Sequence, residues 1–317
     1  MAARYDDVTR VHAAALVRLA GPAASLPALS RAARAPLQGA HLSRLRGRGM
    51  EFAEVRRYEP GDDVRSLDWK VTARTGQAFT KLFREERERP AVVAVDLRAP
   101  MFFATRGAFK AVAAAHAAAL LAWAAVHGGD RIGGLVFDES AHTEVKPARG
   151  RRGALAFVRA LAGHPAWDRR AAGGQAALAT QVGRLRRVIK TGALVVLASD
   201  FRDLDAAAGA GIAGIARHND LLLLQVHDPI ERQAPPPGTY VITDGTRRFA
   251  IDSRSEAARA RYARQYEARL ERLHQLAART GARLIALCTA DDPLATLAAG
   301  LQPRAEPRHV AGRSPAA

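Results

Sequence analysis

Residues 91–96 read Ala-Val-Val-Ala-Val-Asp, a short apolar run rich in β-branched residues that ends in a carboxylate. An alanine-rich segment follows at residues 107–126, and a second short apolar run follows it at residues 132–137. Short β-branched runs that alternate with helical segments are typical of a parallel sheet built from βαβ units. This stretch therefore predicts an α/β fold.

The same alternation continues toward the C-terminus. A proline-rich loop at residues 233–238 leads into a predicted hairpin at residues 240–251. The rhythm predicts a doubly wound, mostly parallel sheet of about six strands in a domain at residues 89–303. Residues 304–317 are predicted to be a disordered tail. The further predicted strands are an edge strand at residues 142–145 and strands at residues 193–198, 221–226 and 283–287.

The composition is that of a globular protein. The chain has 317 residues, 48% of them hydrophobic, which is enough for one large or two modest domains. Its single cysteine, Cys288, excludes an internal disulfide and a thiolate metal cluster made by this chain alone. Residues 1–7 show no signal-sequence pattern, and the longest apolar run, residues 111–126, is too short to span a bilayer comfortably. A cytoplasmic protein without a transmembrane segment is therefore expected.

Arginine carries most of the formal net charge of +17. The densest basic run is residues 31–57, where seven arginines face two glutamates. Such a field attracts nucleic acid, anionic lipid or an acidic protein face. The chain lacks interleaved aromatic residues, a zinc knuckle and a helix-turn-helix pattern, so nucleic acid is not the expected partner. An arginine-driven binder of nucleic acid or of an anionic membrane surface stays an alternative.

Residues 49–74 form a second informative stretch, which combines six acidic and five basic residues with a Pro-Gly turn and a tryptophan. Asp62 or Asp63 is predicted to cap a helical turn at residues 64–69, and Trp69 to anchor a separate α+β module at residues 1–88. Guanidinium groups pair bidentately with carboxylates, which predicts an ion-pair network. The alternative is a solvated charged loop. The predicted network joins Arg57, Arg65 and Arg74 to Asp62, Asp63 and Asp68.

This stretch resembles the signature of the bacterial domain of unknown function 58 family. The resemblance implies a von Willebrand factor A-like domain, often encoded beside a MoxR-type AAA+ ATPase. It continues through Asp96, residues 129–133, residues 199–201 and residues 228–229, and so covers most of the chain. The signature positions are Arg57, Tyr58, Pro60, Gly61, Asp62, Asp63, Arg65, Asp68, Trp69, Ala73 and Arg74.

Asp96 and Asp200 follow predicted strands, and ligands gather at the carboxyl ends of strands in an open parallel sheet. The resemblance implies comparison with the von Willebrand A magnesium site, the metal-ion-dependent adhesion site (MIDAS), which uses Asp-x-Ser-x-Ser, a threonine and a later aspartate. Here residues 96–100 read Asp-Leu-Arg-Ala-Pro, and Gln175 stands in the region of the threonine. Two carboxylates without hydroxyls leave most of a magnesium shell to water.

Arg98 replaces one of the hydroxyl ligands of that site. Its guanidinium is predicted to pair with Asp96 and Asp200 in place of the metal, which gives a degenerate, metal-independent site without a cofactor. Simple helix capping by the two aspartates is the alternative.

Motifs of the common enzyme classes are absent or lack their context. Residues 209–214 match the Gly-x-Gly-x-x-Gly pattern, but they do not directly follow a strand. The sequence has no Walker lysine motif, no His-Glu-x-x-His pair and no Gly-x-Ser-x-Gly elbow. The resemblance therefore favours a non-enzymatic interaction module that serves a MoxR-type ATPase as adaptor or substrate-recruiting partner. The alternative is a hydrolase or nuclease that uses the acidic loops with a divalent ion.

Overall fold

The computed structural model describes residues 5–27, 29, 50–59, 67–85, 89–168, 177–243 and 248–302. The chain divides into two compact units, one at residues 37–88 and one that combines residues 1–36 with residues 89–317. This division differs from the predicted module at residues 1–88. The predicted tail at residues 304–317 lies outside the described residues.

Strands and helices alternate along the larger unit. Numbered along the described chain, the strands are β1 (Met50–Arg57), β2 (Phe79–Glu85), β3 (Pro90–Asp96), β4 (Arg131–Phe137), β5 (His142–Arg149), β6 (Leu194–Ser199), β7 (Asp220–His227), β8 (Thr239–Thr243), β9 (Arg248–Asp252) and β10 (Arg283–Cys288). The helices are α1 (Ala13–Arg18), α2 (Ala20–Ala23), α3 (Trp69–Thr75), α4 (Lys110–His127), α5 (Gly150–Ala162), α6 (Leu178–Val188), α7 (Ala206–Ala216), α8 (Pro229–Arg232), α9 (Glu256–Thr280) and α10 (Pro293–Gly300).

Six strands of the larger unit form one sheet in the order β10-β7-β6-β3-β4-β5. Neighbours pair in parallel except β5, which runs antiparallel to β4 at the edge. The prediction of a doubly wound, mostly parallel sheet of about six strands is confirmed. Strands β8 and β9 pair separately as an antiparallel hairpin.

Helices cover both faces of this sheet. Successive side chains of a strand point to opposite faces, so Val93 and Val95 join the core beneath α4 and α5. Val92 and Ala94 join the core beneath α6, α7 and α9. A strand that is buried on both faces reads as a continuous apolar run, which explains why residues 91–95 show no polar alternation.

The N-terminal helices pack against α4, which explains the revised unit boundary. The indole N–H of Trp123 donates to the carbonyl oxygen of Leu16 at 2.9 Å. The backbone N–H of Phe109 donates to the carbonyl oxygen of Val8 at 2.8 Å. Leu16 is fully buried in the same core cluster as α4. The N-terminal segment is therefore part of the larger unit and buries its apolar residues against α4.

Helix α4 is apolar on all sides. Within the described chain it is the one helix long and apolar enough to cross a membrane, and 89% of it is buried inside the protein. A helix that is hydrophobic all round suits the core of an α/β domain, where alanine permits close packing on the sheet. Its first residue, Lys110, is the exception to this composition and is fully buried.

The topology creates a switch point between β3 and β6. From β3 the chain adds β4 and β5 on one side, and it later adds β6, β7 and β10 on the other. Asp96 ends β3, and Asp200 directly follows β6. In open α/β sheets, the crevice at such a point is where ligands bind.

The smaller unit at residues 37–88 contains an antiparallel pair and a helix. Strands β1 and β2 pair with an irregularity between Phe52 and Glu54. The hydroxyl of Thr72 in α3 accepts a hydrogen bond from the backbone N–H of Phe79 at 3.1 Å, which ties the helix to β2. The described part of this unit thus contains both a helix and strands, over a shorter range than the predicted module at residues 1–88.

Gly134→Ala is expected to lower the free energy of unfolding by about 1–3 kcal/mol, because a methyl group there overlaps the carbonyl oxygen of Val93 and the ring of Phe157. Gly209→Ala in α7 is the matched control. A Cβ at position 209 meets nothing within 4 Å, so this change is expected to stabilise by up to about 1 kcal/mol. Urea unfolding measures both values, and equal effects of the two variants would contradict this packing.

Candidate functional site

Asp96 lies at the carboxyl end of β3 and is fully buried. Its carboxylate accepts hydrogen bonds from the guanidinium of Arg98, with Nη2 at 2.7 Å from Oδ2 and Nε at 3.0 Å from Oδ1. The Arg98 backbone N–H donates to Oδ1 at 3.0 Å, and the Ser199 hydroxyl donates to Oδ2 at 2.6 Å. The predicted pairing of Arg98 with Asp96 is therefore present in the structure.

The second partner of Arg98 is Asp203, and the predicted pairing with Asp200 is wrong. Arg98 Nη1 lies 2.6 Å from Asp203 Oδ2, and Nη2 lies 3.0 Å from Oδ1. Asp203 also accepts from the backbone N–H of Leu178 at 2.8 Å, so it fastens the start of α6 to the same cluster. Asp200 faces a different cation, Lys110.

The ammonium group of Lys110 bridges two acids at this edge. Its Nζ lies 2.8 Å from Asp200 Oδ2 and 2.7 Å from Glu231 Oε1, and its side chain is fully buried. The three residues belong to the start of α4, the loop after β6 and helix α8. One buried cation thus ties together three elements that are far apart in sequence.

Asp228 holds the loop between β3 and α4 to the ends of β7 and β10. Its carboxylate accepts from the backbone N–H of Thr105 at 2.7 Å and from the hydroxyl of Thr289 at 2.8 Å. It also caps α8, in a reciprocal arrangement in which Glu231 accepts from the Asp228 backbone N–H. Glu231 therefore reaches Lys110 from a fixed position.

The electrostatics follow from burial and from these cations. Burial raises the pKa of Asp200, but the charge and hydrogen bond of Lys110 outweigh this effect and hold the pKa below its ordinary value. Burial also raises the pKa of Asp203, and the hydrogen bonds from Arg98 and Leu178 reverse it. At Asp96 burial dominates and raises the pKa, although Arg98 opposes it. All of the hydrogen-bond donors around Asp96 find an acceptor only when Asp96 is a carboxylate.

These residues do not fit a divalent cation. A magnesium ion takes about six oxygens, and here it would lie against the fixed charges of Arg98 and Lys110. The Ser199 hydroxyl already donates to Asp96. Across the described part of the chain, no group of three or more His, Cys, Asp or Glu residues is placed to hold a metal. Gln175, predicted to occupy the threonine region, lies outside the described residues.

The signature residues are only partly described, since Asp62, Asp63 and Arg65 lie outside the described residues. Asp68 caps α3 and accepts from the backbone N–H groups of Lys70 at 3.0 Å and Val71 at 3.2 Å. Tyr58 is half-buried. Arg57 and Arg74 are exposed, and neither makes an ion pair with any residue that the structure describes. Because the predicted partners Asp62 and Asp63 lie outside the described residues, the pairing of Arg57 and Arg74 with them stays a prediction.

Trp69 was predicted to anchor the signature module, and this prediction is wrong. Trp69 is the first residue of α3, and it is 67% exposed. The helix begins at Trp69, where the predicted turn at residues 64–69 was to end, because Asp68 supplies the cap. Trp69 is therefore an exposed aromatic residue on a short, capped helix.

Lys110, Asp203 and Glu231 were missed by the sequence interpretation. Lys110 carried a usable signal, since it is the only charged residue of the segment that forms α4. A lysine at the head of a core helix needs a buried partner, because an unpaired charge in the interior is costly. Asp203 lies in a loop and Glu231 in a helix-capping motif, and nothing in their neighbouring sequence distinguishes them from ordinary surface acids.

Comparisons with known proteins find one family model and several uncharacterized relatives. Residues 54–272 match the family model described as Protein of unknown function DUF58. The uncharacterized protein Rv1480 of Mycobacterium tuberculosis is 34% identical over 272 residues, which cover 82% of this chain and 81% of the relative. Mb1516 of Mycobacterium bovis, also uncharacterized, matches equally. The conserved hypothetical protein BatB from Bacteroides thetaiotaomicron, a crystal structure, is 13% identical with a TM-score of 0.38, and the match covers 61% of this chain and 98% of BatB.

Lys110→Met is expected to lower the free energy of unfolding by about 3–5 kcal/mol at pH 7, because it leaves Asp200 and Glu231 buried without their cation. The loss should shrink as the pH falls toward about 4. Without Lys110, burial raises the pKa of Asp200 against only the weaker opposing effect of Arg202, so protonation removes the unpaired charge. In the wild type the folded protein lowers the pKa of Asp200. Ionised Asp200 therefore stabilises the fold at pH values above its pKa in the unfolded chain, and this stabilisation is lost as the pH falls.

Urea unfolding at pH 7 and at pH 4.5 measures this difference. The matched control is Lys190→Met, which changes an exposed lysine and is expected to shift stability by less than about 0.5 kcal/mol. If the difference in the free energy of unfolding between Lys110→Met and the wild type is the same at both pH values, Lys110 is not the counter-charge.

Proposed function

This chain belongs to the family described as Protein of unknown function DUF58, and from that premise we propose that it is a non-enzymatic protein-interaction module. In this proposal it acts as an adaptor or substrate-recruiting partner of a MoxR-type AAA+ ATPase. Its larger unit is von Willebrand factor A-like, and the edge at Asp96 and Asp200 is a degenerate MIDAS that works without a metal. A cytoplasmic location remains part of the proposal.

The observation that carries the proposal is the internal neutralisation of the acids at the switch point. Arg98 binds Asp96 and Asp203, and Lys110 binds Asp200 and Glu231. Carboxylates held in this way are poor general bases and poor metal ligands, since their strongest acceptor directions face fixed cations. The cluster is suited to holding loops in one conformation, and this favours binding over catalysis.

The loops fixed by the cluster offer a surface for a partner. Phe103, in the loop between β3 and α4, is 36% exposed, and Arg202, after β6, has an exposed side chain. Rigid loops lose little conformational entropy on binding, which favours recognition at this edge. In the smaller unit, the exposed Trp69 supplies a second contact, because buried tryptophans often dominate the binding energy of interfaces. The identity of the ATPase rests on the family resemblance alone.

Phe103→Asp is expected to lower recovery of a MoxR-type AAA+ ATPase at least ten-fold when the tagged full-length chain is used as bait in nuclease-treated native lysate. A charge in the loop after β3 disrupts an apolar contact there. Val241→Asp is the matched control, since Val241 is 69% exposed on β8 and lies outside the proposed surface. Quantitative mass spectrometry measures recovery. Absence of any AAA+ ATPase contradicts the partner, and equal recovery with both variants contradicts the surface.

Magnesium is expected to give no stoichiometric binding in titration calorimetry, because Arg98 and Lys110 already neutralise the acids of the edge. Treatment with EDTA is accordingly expected to leave the Tm unchanged. Stoichiometric binding that is lost in Asp96→Ala would overturn the metal-independent site. That result would favour the alternative of a divalent-metal-dependent hydrolase or nuclease.

A further inference from the structure

A small cleft with a volume of about 20 Å³ opens beside the Lys110 cluster, between the loop after β6 and helix α9. Phe201 shapes one wall and adopts a positive φ of 51° while almost fully buried. A left-handed backbone at a bulky residue persists only where its surroundings hold it in place. The Ser199 hydroxyl accepts from the Phe201 backbone N–H at 3.2 Å, which supplies part of that support. The wall is therefore preorganised.

Hydrogen-bond donors line this cleft in excess. Arg269 donates from Nε to the carbonyl oxygen of Gln265 at 3.2 Å, and its two terminal nitrogens find no acceptor in the described part of the chain. Tyr266 accepts from the Gln225 side chain at 3.3 Å, and its own hydroxyl proton has no acceptor among the described residues. Arg202, on the opposite side, lies 3.5 Å from Glu231 and is half exposed.

The carboxylates that line the cleft are already engaged. Asp200 accepts from Lys110 and from the backbone N–H of Arg202 at 3.1 Å. Glu231 accepts from Lys110 and from the backbone N–H of Asp228. Donors left over beside satisfied acceptors favour a ligand that brings acceptor oxygens of its own. Guanidinium groups bind such oxyanions with charge-assisted hydrogen bonds.

The charge of the cleft selects among oxyanions. Arg202 and Arg269 line the cleft, and Lys110 contacts the lining acids Asp200 and Glu231, so three positive and two negative charges leave one positive charge. A carboxylate neutralises that charge, whereas a phosphate dianion leaves excess negative charge next to two buried carboxylates. Apolar side chains complete the lining, namely Phe201, Leu270 and Leu273, and they suit the carbon stem of an acidic side chain.

We propose that this cleft binds the carboxylate of a glutamate or aspartate side chain presented by a partner protein. The partner rests on the proposed function, but the carboxylate specificity rests on the cleft alone. Arg269 and Tyr266 hold the carboxylate oxygens, and Arg202 closes over them from the loop after β6. The net positive charge of the whole chain, +17, attracts acidic partners.

The test uses the full-length chain with ¹³C-labelled leucine methyl groups and a small probe. N-acetyl-glutamate α-amide is expected to shift the Leu270 and Leu273 methyl signals in a saturable manner. N-acetyl-glutamine α-amide, which lacks the charge, is expected to bind at least ten-fold more weakly. Arg269→Gln is expected to weaken the glutamate probe at least ten-fold, and Arg264→Gln, on the same helix outside the cleft, to leave it unchanged.

Equal binding of the two probes, or an unchanged affinity in Arg269→Gln, would overturn the proposal. Inorganic phosphate that binds more tightly than the glutamate probe would overturn the assignment to a carboxylate. The titration needs no ATPase, so its outcome is separate from that of the pull-down. Probe binding without ATPase recovery refutes only the proposed partner, and ATPase recovery without probe binding refutes only the cleft.

Discussion

The switch-point edge depends on holding four carboxylates, three of them with buried side chains, against their counter-charges. Asp96 and Asp200 are forced inside because they follow strands that are covered on both faces. Removing a carboxylate from water costs several kcal/mol, and only a close cation with good geometry offsets that cost. Arg98 and Lys110 supply it, and each one contacts two acids. The loops after β3 and β6 and helix α8 take their positions from these contacts.

The sheet was predictable because its information is local. Residues 91–95 and the later apolar runs show that strands are buried on both faces, and the alternation with helices leads to the doubly wound fold. The Asp96–Arg98 pair was also predictable, since two residues of one loop can reach each other. The pairs of Lys110 were not, because its partners lie 90 and 121 residues away in sequence. Such contacts follow from the order of the strands, which residue spacing does not encode.

The N-terminal segment and Trp69 show the same limit in different ways. An amphipathic helix indicates that an apolar face will be covered, but not which surface covers it, and residues 13–23 cover α4. A tryptophan is usually largely buried, so Trp69 was expected inside. The cap predicts the structure better than the residue type does. Asp68 fixes the start of α3 at Trp69, and the indole of Trp69 lies in solvent.

A covalently attached ammonium group differs from a bound ion in one respect that matters for the regulation of a site. An ion can be withdrawn, exchanged or competed for, so a site built on it has a loaded and an empty state. The ammonium of Lys110 cannot leave the chain, and its side chain has no contact with solvent. The elements that Lys110 joins therefore keep their counter-charge without the supply of an ion. In the proposed function, engagement of this edge is therefore set by the partner, through its abundance, its location or its own cycle.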